Sequence, residues 1–372
     1  MNTVSSVIQR PILQPTVVVA PLPNKRLMVH RGTKQSEAGI IFEDPASWKM
    51  ETIGLLTGKN THDDIHRTLT ERGRAVNKAE VVAFVEALAD VAAVEDAAYF
   101  DMSSLRVDQT DRYSRNLNGF AALSPNHETP AALQTKLFGS HVLMLGCGGL
   151  GSCTATALTM AGCGTISLVD FDHIELGNLN RQLFNSDDVG KRKVDILKSR
   201  LAAINPDVRV NTVFQRLEST ADIANLISKF NPGIVVAAID RPVIANDRWI
   251  SDACFAAGIP AVFNSVSAGT GLVWTKVPGQ TGCFQCDELW SVERNPDHYS
   301  TRVYREQNDL IPATSAFSHC AMTVSGMMAS DIVRHLVGWP MASAGKLVVI
   351  DFATLTTKVV EKPQHPDCRT CK

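Results

Sequence analysis

The stretch from His141 to Lys193 leaves a chain few folds to choose from. It reads HVLMLGCGGLGSCTATALTMAGCGTISLVDFDHIELGNLNRQLFNSDDVGKRK. An apolar run from Val142 to Leu145 meets Gly146-x-Gly148-x-x-Gly151. A small-residue helix follows over Ser152 to Met160, and a second apolar strand, Thr165 to Val169, ends on Asp170. Strand, glycine turn, helix, strand and acid in that order form the unit that binds a nucleotide. Gly146 permits the tight turn, Gly148 and Gly149 let backbone approach a phosphate, and Gly151 lets the helix pack near the strand. The helix N-terminus offers free N–H groups and positive potential to an anion. Asp170 is placed to accept hydrogen bonds from ribose hydroxyls, which fits a dinucleotide and a nucleoside triphosphate equally well.

The surroundings are those of a multidomain globular protein. At 372 residues the chain is too long for one ordinary core. A net charge of −2 gives no reason to expect nucleic acid or an anionic membrane as a partner. No apolar run reaches the roughly 20 residues that span a bilayer, and the N-terminus lacks the apolar core of a signal peptide, so a cytoplasmic location is expected. Four of the nine cysteines form two C-x-x-C pairs, Cys283/Cys286 and Cys368/Cys371. Two such pairs read as one tetrahedral Zn²⁺ site, structural because four thiolates close the shell. A redox role is disfavoured, since neither pair is expected to open a helix after a strand. Cys147, Cys153, Cys163, Cys254 and Cys320 read as core thiols.

Residues 1–14 are expected to be a flexible lead. Three strand-like runs follow, TVVVAPL, RLMVHR and AGIIFE, and then three helical patterns starting near Trp48, Thr61 and Asn77. Residues 15–100 therefore read as a small α+β winged-helix-like domain. Nothing in it is strongly basic, which argues against DNA reading. Residues 101–140 read as a linker containing the segment Arg112-Tyr113-Ser114-Arg115-Asn116. Residues 141–372 alternate strand and helix as a doubly wound Rossmann-like α/β domain. The polar stretch Ser291 to Gln307 has no clear periodicity and reads as a loop, a long helix is expected over Ala316 to Val337, and Lys346 to Phe352 reads as the final strand.

The residues after Asp170 choose the chemistry. Asp172, Asn178-Leu179-Asn180-Arg181-Gln182 and Gly190-Lys191-x-Lys193 suit a triphosphate better than a nicotinamide cofactor. Three phosphates carry roughly four charges, and transfer at phosphorus adds more in the transition state, so Arg181, Lys193 and Mg²⁺ would supply most of the rate. Asp240 ends a buried apolar strand, where doubly wound folds place ligand chemistry, and is positioned to hold Mg²⁺.

With these motifs, residues 111–372 resemble the ThiF/MoeB/ubiquitin-activating superfamily, whose members adenylate a carboxylate with ATP. The resemblance implies that Asp170 binds the ribose, that Asn178, Arg181 and Lys193 contact the phosphates, and that Asp172 and Gln182 belong to the same nucleotide site. It also implies that Asp240 holds Mg²⁺, that the four cysteines hold structural Zn²⁺, and that Arg115 reaches the triphosphate of a partner subunit in a homodimer. Sulfur-carrier enzymes usually carry Asp-Asn where this chain has Asp240-Arg241-Pro242. That departure, with Glu288 to Gln307 and Pro312-Ala313-Thr314, resembles the peptide-modifying branch of MccB and PaaA type. The layout of residues 15–100 resembles the PqqD-like fold, in which a leader peptide adds beside the third strand and packs on the third helix. The implied function is ATP- and Mg²⁺-dependent activation of a carboxyl or amide group of a ribosomal precursor peptide, in antibiotic biosynthesis. Two alternatives stand beside it: an adenylyltransferase for a ubiquitin-like sulfur carrier, and a nucleotide-sensing protein without turnover.

Overall fold

The computed structural model describes residues 8–31, 39–44, 46–124, 127–308, 310 and 315–371. Two compact units divide the chain, residues 1–135 and 136–372.

The first unit contains strands β1 (Pro11–Leu13), β2 (Val17–Leu22), β3 (Arg26–Arg31) and β4 (Ile40–Glu43). Helices α1 (Trp48–Leu55), α2 (His62–Glu71) and α3 (Lys78–Asp90), then strand β5 (Val94–Asp96), follow. β2, β3 and β4 form an antiparallel sheet in that order. Both α2 and α3 start on capping boxes. Thr61 accepts from the Asp64 N–H and Asn77 from the Glu80 N–H, while each acid's carboxylate accepts from the cap residue's own N–H. The apolar spacing of α3 buries Val81, Phe84, Val85 and Leu88 against Ile65 and Leu69 of α2 and against Leu27 and Val29 of β3. Helices α4 (Val107–Arg112), α5 (Ser114–Leu123) and α6 (Pro130–Phe138) come next, and the division between units falls inside α6.

Two expectations need correction here. Residues 1–7 and Pro125-Asn126 lie outside the described residues, but Pro11–Leu13 of the expected flexible lead is a strand paired antiparallel with β5. The expected linker, 101–140, is largely helical, because Tyr113, Leu117 and Phe120 recur at helical spacing and are buried.

The second unit is a Rossmann-like α/β domain built on one eight-stranded sheet. Its elements are β6 (His141–Leu145), α7 (Gly149–Ala161), β7 (Thr165–Asp170), α8 (Lys193–Ile204), β8 (Arg209–Phe214), α9 (Thr220–Phe230), β9 (Ile234–Ala237), α10 (Val243–Ala257), β10 (Ala261–Val266) and β11 (Thr270–Lys276). Helices α11 (Phe284–Arg294), α12 (Pro296–Gln307) and α13 (Ser318–Leu336) and strands β12 (Lys346–Asp351) and β13 (Thr356–Glu361) complete it. The sheet order is β13-β12-β11-β10-β9-β6-β7-β8. The five strands from β8 to β10 are parallel and the remainder antiparallel. One face buries Leu143, Leu145, Val235 and Phe263 against Ile223 and Leu226 of α9 and Ile250 and Cys254 of α10. Helices α7, α8 and α13 form the other layer, where the Ser325 hydroxyl of α13 donates to the Leu150 carbonyl of α7 at 3.0 Å.

Residues 291–307, expected as a loop, belong to α11 and α12, and β13 follows the strand expected to be last. Pro312-Ala313-Thr314 lies outside the described residues. No helix among the described residues is long and apolar enough to cross a membrane.

The chain runs β6, β7, β8 to one side and then returns to place β9 on the other side of β6. The ends of β6 and β9 therefore flank a switch point, the crevice where open α/β sheets bind ligands. Two glycines make the junction possible. Gly146 adopts φ +98°, and a Cβ there would lie 2.3 Å from the Ala238 carbonyl oxygen. A Cβ on Gly151 would lie 2.0 Å from the Gly146 carbonyl oxygen. Gly326 of α13, by contrast, has nothing within 4 Å of its Cβ position. Gly151→Ala should therefore lower the melting temperature by roughly 5 °C or more, since backbone cannot yield as a side-chain tip can. Gly326→Ala should leave it unchanged or slightly raised. Thermal unfolding by circular dichroism reads both, and equal effects would contradict the close approach.

Candidate active site

A cleft of about 1330 Å³ opens at the switch point. Gly146, Gly148 and Gly149 line it, as do Asp170, Asp172, Asn178, Arg181, Gln182, Lys193 and Asp240. Gly151 does not line it; its place is under the turn. Arg115 lies in the first unit, exposed on α5.

Asp170 closes β7 and is buried. Its Oδ2 accepts from the Cys147 N–H at 2.6 Å and its Oδ1 from the Asp172 N–H at 2.8 Å. Burial pushes its carboxyl above the usual range, while the Lys193 charge and those two N–H groups pull it back. Each oxygen keeps a lone pair for a further donor such as a ribose hydroxyl. Lys193 opens α8 and is also buried. Its Nζ donates to Asp172 Oδ2 at 2.7 Å, and its N–H donates to the Asp172 carbonyl at 3.1 Å. Asp170, Asp172 and Lys193 thus tie the end of β7 to the start of α8 and hold an ammonium at the cleft wall.

Asn178 and Arg181 sit on the short helical turn after β7. Asn178 Oδ1 accepts from the Glu175 N–H at 3.0 Å, which fixes the turn. Arg181 Nη1 donates to the Gly177 carbonyl at 3.1 Å and to Asn180 Oδ1 at 3.0 Å, leaving Nε and Nη2 without an acceptor among the described residues. Gln182 is 8% exposed, and its Oε1 has no hydrogen-bond partner among the described residues. An orphaned buried oxygen on a cleft wall fits a site completed by a ligand. A Cβ on Gly148 would meet nothing nearer than Gln182 Nε2 at 3.8 Å, so open backbone faces the cleft there. These groups suit the anionic end of a nucleotide. Asp240 stands three residues beyond the end of β9, not on the strand as expected, and its carboxylate is exposed at the cleft. A solvent-facing carboxylate on a cleft that also carries cations suits a hydrated divalent cation such as Mg²⁺.

Sequence reasoning missed the far wall of the cleft. Asp247 of α10, Asp287 of α11 and Arg302 of α12 all line it. Glu306 of α12 caps α10 by accepting from the N–H groups of Ile244 at 2.8 Å and Ala245 at 3.0 Å. That cap docks α12 against α10, a contact between distant segments that no periodicity announces.

The four thiols of Cys283, Cys286, Cys368 and Cys371 lie within 4.8 Å of one another. The Cys283–Cys368 and Cys286–Cys371 sulfurs are 3.5 Å apart. A tetrahedron with Zn–S near 2.3 Å has edges of about 3.8 Å, so the donor set and spacing fit Zn²⁺ with no position left for water. Backbone N–H groups of Cys283 and His365 donate to Cys371 and Cys286 sulfurs, each at 3.2 Å. One step in the sequence reading fails: Cys283 does cap a helix, α11, after strand β11. The assembly of all four thiols, not the absence of a helix, is what favours a metal. The other five cysteines are buried, including Cys320 inside α13.

Fold and site together define a doubly wound nucleotide-binding domain carrying a four-cysteine centre. Residues 113–370 match the ThiF family, and the chain belongs to that family, which places it among ATP-dependent adenylyltransferases. It is 28% identical over 241 residues to the molybdopterin-synthase adenylyltransferase of Escherichia coli K12, covering 64% of this chain and 89% of that one. It is 30% identical over 276 residues to the SAMP-activating enzyme E1 of Haloferax volcanii, covering 72% and 91%. Among solved structures, E. coli MccB with AMPCPP and MccA superposes with a TM-score of 0.77 at 22% identity, over 97% of this chain and 99% of that one. PaaA gives 0.72 at 21% identity, over 93% and 98%. At these identities the structural likenesses speak to the fold.

If the thiols hold one metal, the purified protein should contain about one Zn²⁺ per chain. Cys368→Ser should abolish that content and lower the melting temperature by several degrees, while Cys153→Ala should leave the content unchanged. Full zinc retention in Cys368→Ser, read by elemental analysis, would contradict a four-thiolate site.

Proposed function

We propose that this protein is an ATP- and Mg²⁺-dependent adenylyltransferase for a carboxyl or amide group of a ribosomally made precursor peptide. The product would belong to the biosynthesis of a peptide-derived antibiotic. The observation that carries the peptide reading is β4 of the first unit. It pairs with β3 alone, and among the described residues its other edge has no strand partner. Ile40 and Ile41 on it are 39% and 50% exposed. An open, apolar edge beside a helix-packed sheet is what an extended peptide joins by strand addition. Likeness to MccB, which has been solved with N-formylated MccA, extends over this unit as well.

In the proposed reaction a substrate oxygen attacks the α-phosphorus of ATP. The bond to the bridging oxygen breaks, pyrophosphate leaves, and an acyl adenylate (from a carboxyl) or an O-adenylylated imidate (from an amide) remains for capture by a nucleophile of the peptide. Asp170 would hold the ribose, with Asn178, Arg181, Gln182 and Lys193 around the phosphates. Asp240 would hold Mg²⁺, which neutralises charge on the phosphate oxygens. In a homodimer, Arg115 would serve the partner's triphosphate. Zn²⁺ at the four cysteines would be structural.

A second reading has its own support. The sequence relatives include adenylyltransferases named for molybdopterin synthase and for the sulfur carrier ThiS, and the family match begins only at residue 113, beyond the sheet that carries β4. ATP–pyrophosphate exchange on the full-length protein separates the readings, using peptides selected from a displayed library for binding. Peptide-dependent exchange should fall by about 100-fold or more in Arg181→Ala and Asp240→Ala. Ile41→Asp should weaken peptide binding at least tenfold and leave ATP binding intact. Exchange driven by a Gly-Gly-ended carrier protein and untouched by Ile41→Asp would favour the carrier reading.

A further inference from the structure

The far wall of the cleft is crowded with charge, and most of it is committed. Asp287 is held by Lys276 at 2.7 Å and Lys362 at 3.2 Å. Glu288 accepts from the Tyr299 hydroxyl at 3.0 Å and pairs with Arg248. Glu306 is spent on the α10 cap. The cations of the cleft are committed too: Lys193 to Asp172, Arg216 to Glu218 at 3.7 Å, and Arg305 to the Leu310 carbonyl. Arg181 has spent one nitrogen and belongs to the nucleotide side, and Arg241 is exposed.

Arg302 differs from all of these. It is half-buried, it lines the cleft, and no hydrogen bond or ion pair ties it to a described residue. Its position is nevertheless built. Arg302 stands one helical turn before Glu306, so the cap that docks α12 on α10 also fixes the turn carrying Arg302. Asp247, about one turn into α10, likewise lines the cleft, its carboxylate without a hydrogen bond to a described residue, and Arg302 is the strongest charge acting on it. The two attract across a gap too wide for an ion pair. A half-buried guanidinium that no described side chain engages is available to a ligand, and its planar fork matches a carboxylate.

Resting on the adenylation reading above, we propose that Arg302 holds the carboxylate of the group being activated, and that Asp247, which attracts the guanidinium without pairing with it, competes with that carboxylate when ionised. One carboxylate oxygen then attacks the α-phosphorus and the other stays on Arg302 as the carbonyl oxygen of the adenylate. The choice falls on a carboxylate over an amide because a neutral amide would leave the arginine charge uncompensated.

Asp247 gives the proposal a readout that a purely structural role would not move. Burial pushes its carboxyl up to about 7; Arg302 and Lys276 pull it down, while Asp287 and Glu306 add to the rise. Below about pH 7 it is mostly protonated and leaves Arg302 free for a ligand. Above it, the ionised form competes for Arg302, so carboxylate binding should weaken as pH rises. Trp249 and Trp274 line the same cleft and report occupancy by fluorescence.

The test is a titration of the full-length protein with N-acetylglycine, a minimal peptide carboxylate, and with N-acetylglycinamide as the neutral control. Wild type is expected to bind the carboxylate saturably, at least tenfold tighter than the amide, with affinity falling several-fold from pH 6 to pH 8. Arg302→Met should lose the preference, Arg302→Lys should restore part of it, and Asp247→Asn should keep binding but lose the pH step. ATP binding by each variant confirms folding. Equal affinity for the two probes, no saturable binding in wild type, or a preference that survives Arg302→Met would overturn the proposal. Pyrophosphate exchange that fails while this binding pattern holds would count against the adenylation reading and leave the subsite standing.

Discussion

The second unit depends on one close approach, the helix α7 set down on the turn that ends β6. Gly151 lies so near the Gly146 carbonyl that no side chain fits between them. That contact fixes where the N-terminus of α7 points, and with it where backbone donors meet a phosphate. The return of the chain to β9 places Ala238 against the same turn, with its N–H donating to the Leu145 carbonyl at 2.7 Å. The crevice is therefore a consequence of strand order and of two residues without a Cβ.

From that junction the site is assembled by short links. Asp170 grips the glycine turn through the Cys147 N–H and grips its own following loop through the Asp172 N–H. Asp172 holds Lys193, so a cation is carried to the cleft by a salt bridge whose ammonium is buried. Such a pair is weak support for stability, because desolvation offsets much of the attraction. Its value lies in position: the ammonium arrives oriented, which is the form in which charge contributes most to phosphoryl chemistry.

Much of this was readable in advance for local reasons. The glycine spacing, the two apolar strands and the acid at Asp170 are contiguous, and each element announces itself by period and by turn chemistry. Asn77 and Thr61 mark helix starts because a capping box is local. The C-x-x-C pairs are two local signals whose joining needed only one assumption. What stayed hidden is non-local. Glu306 caps a helix 62 residues away in sequence, and without that contact α12 looks like a polar loop. Asp247 and Arg302 sit among polar residues at no special spacing, and only the docking of α12 on α10 brings them to one wall. β1 was missed because its partner, β5, is more than 80 residues distant. Asp240 was placed on a strand because the apolar run continues through Ile239, although the register with β6 ends at Ala237 and the last hydrogen bond to it comes from the Ala238 N–H.

Which phosphorus is attacked decides the chemistry of this site. Phosphorus NMR of the full-length protein with ATP, Mg²⁺ and a library-selected peptide identifies the products directly. Attack at the α-phosphorus gives AMP and pyrophosphate in equal amounts, formed only when the peptide is present, and that is the expected result. ADP and inorganic phosphate as the peptide-dependent products would place the chemistry at the γ-phosphorus and contradict the adenylation account.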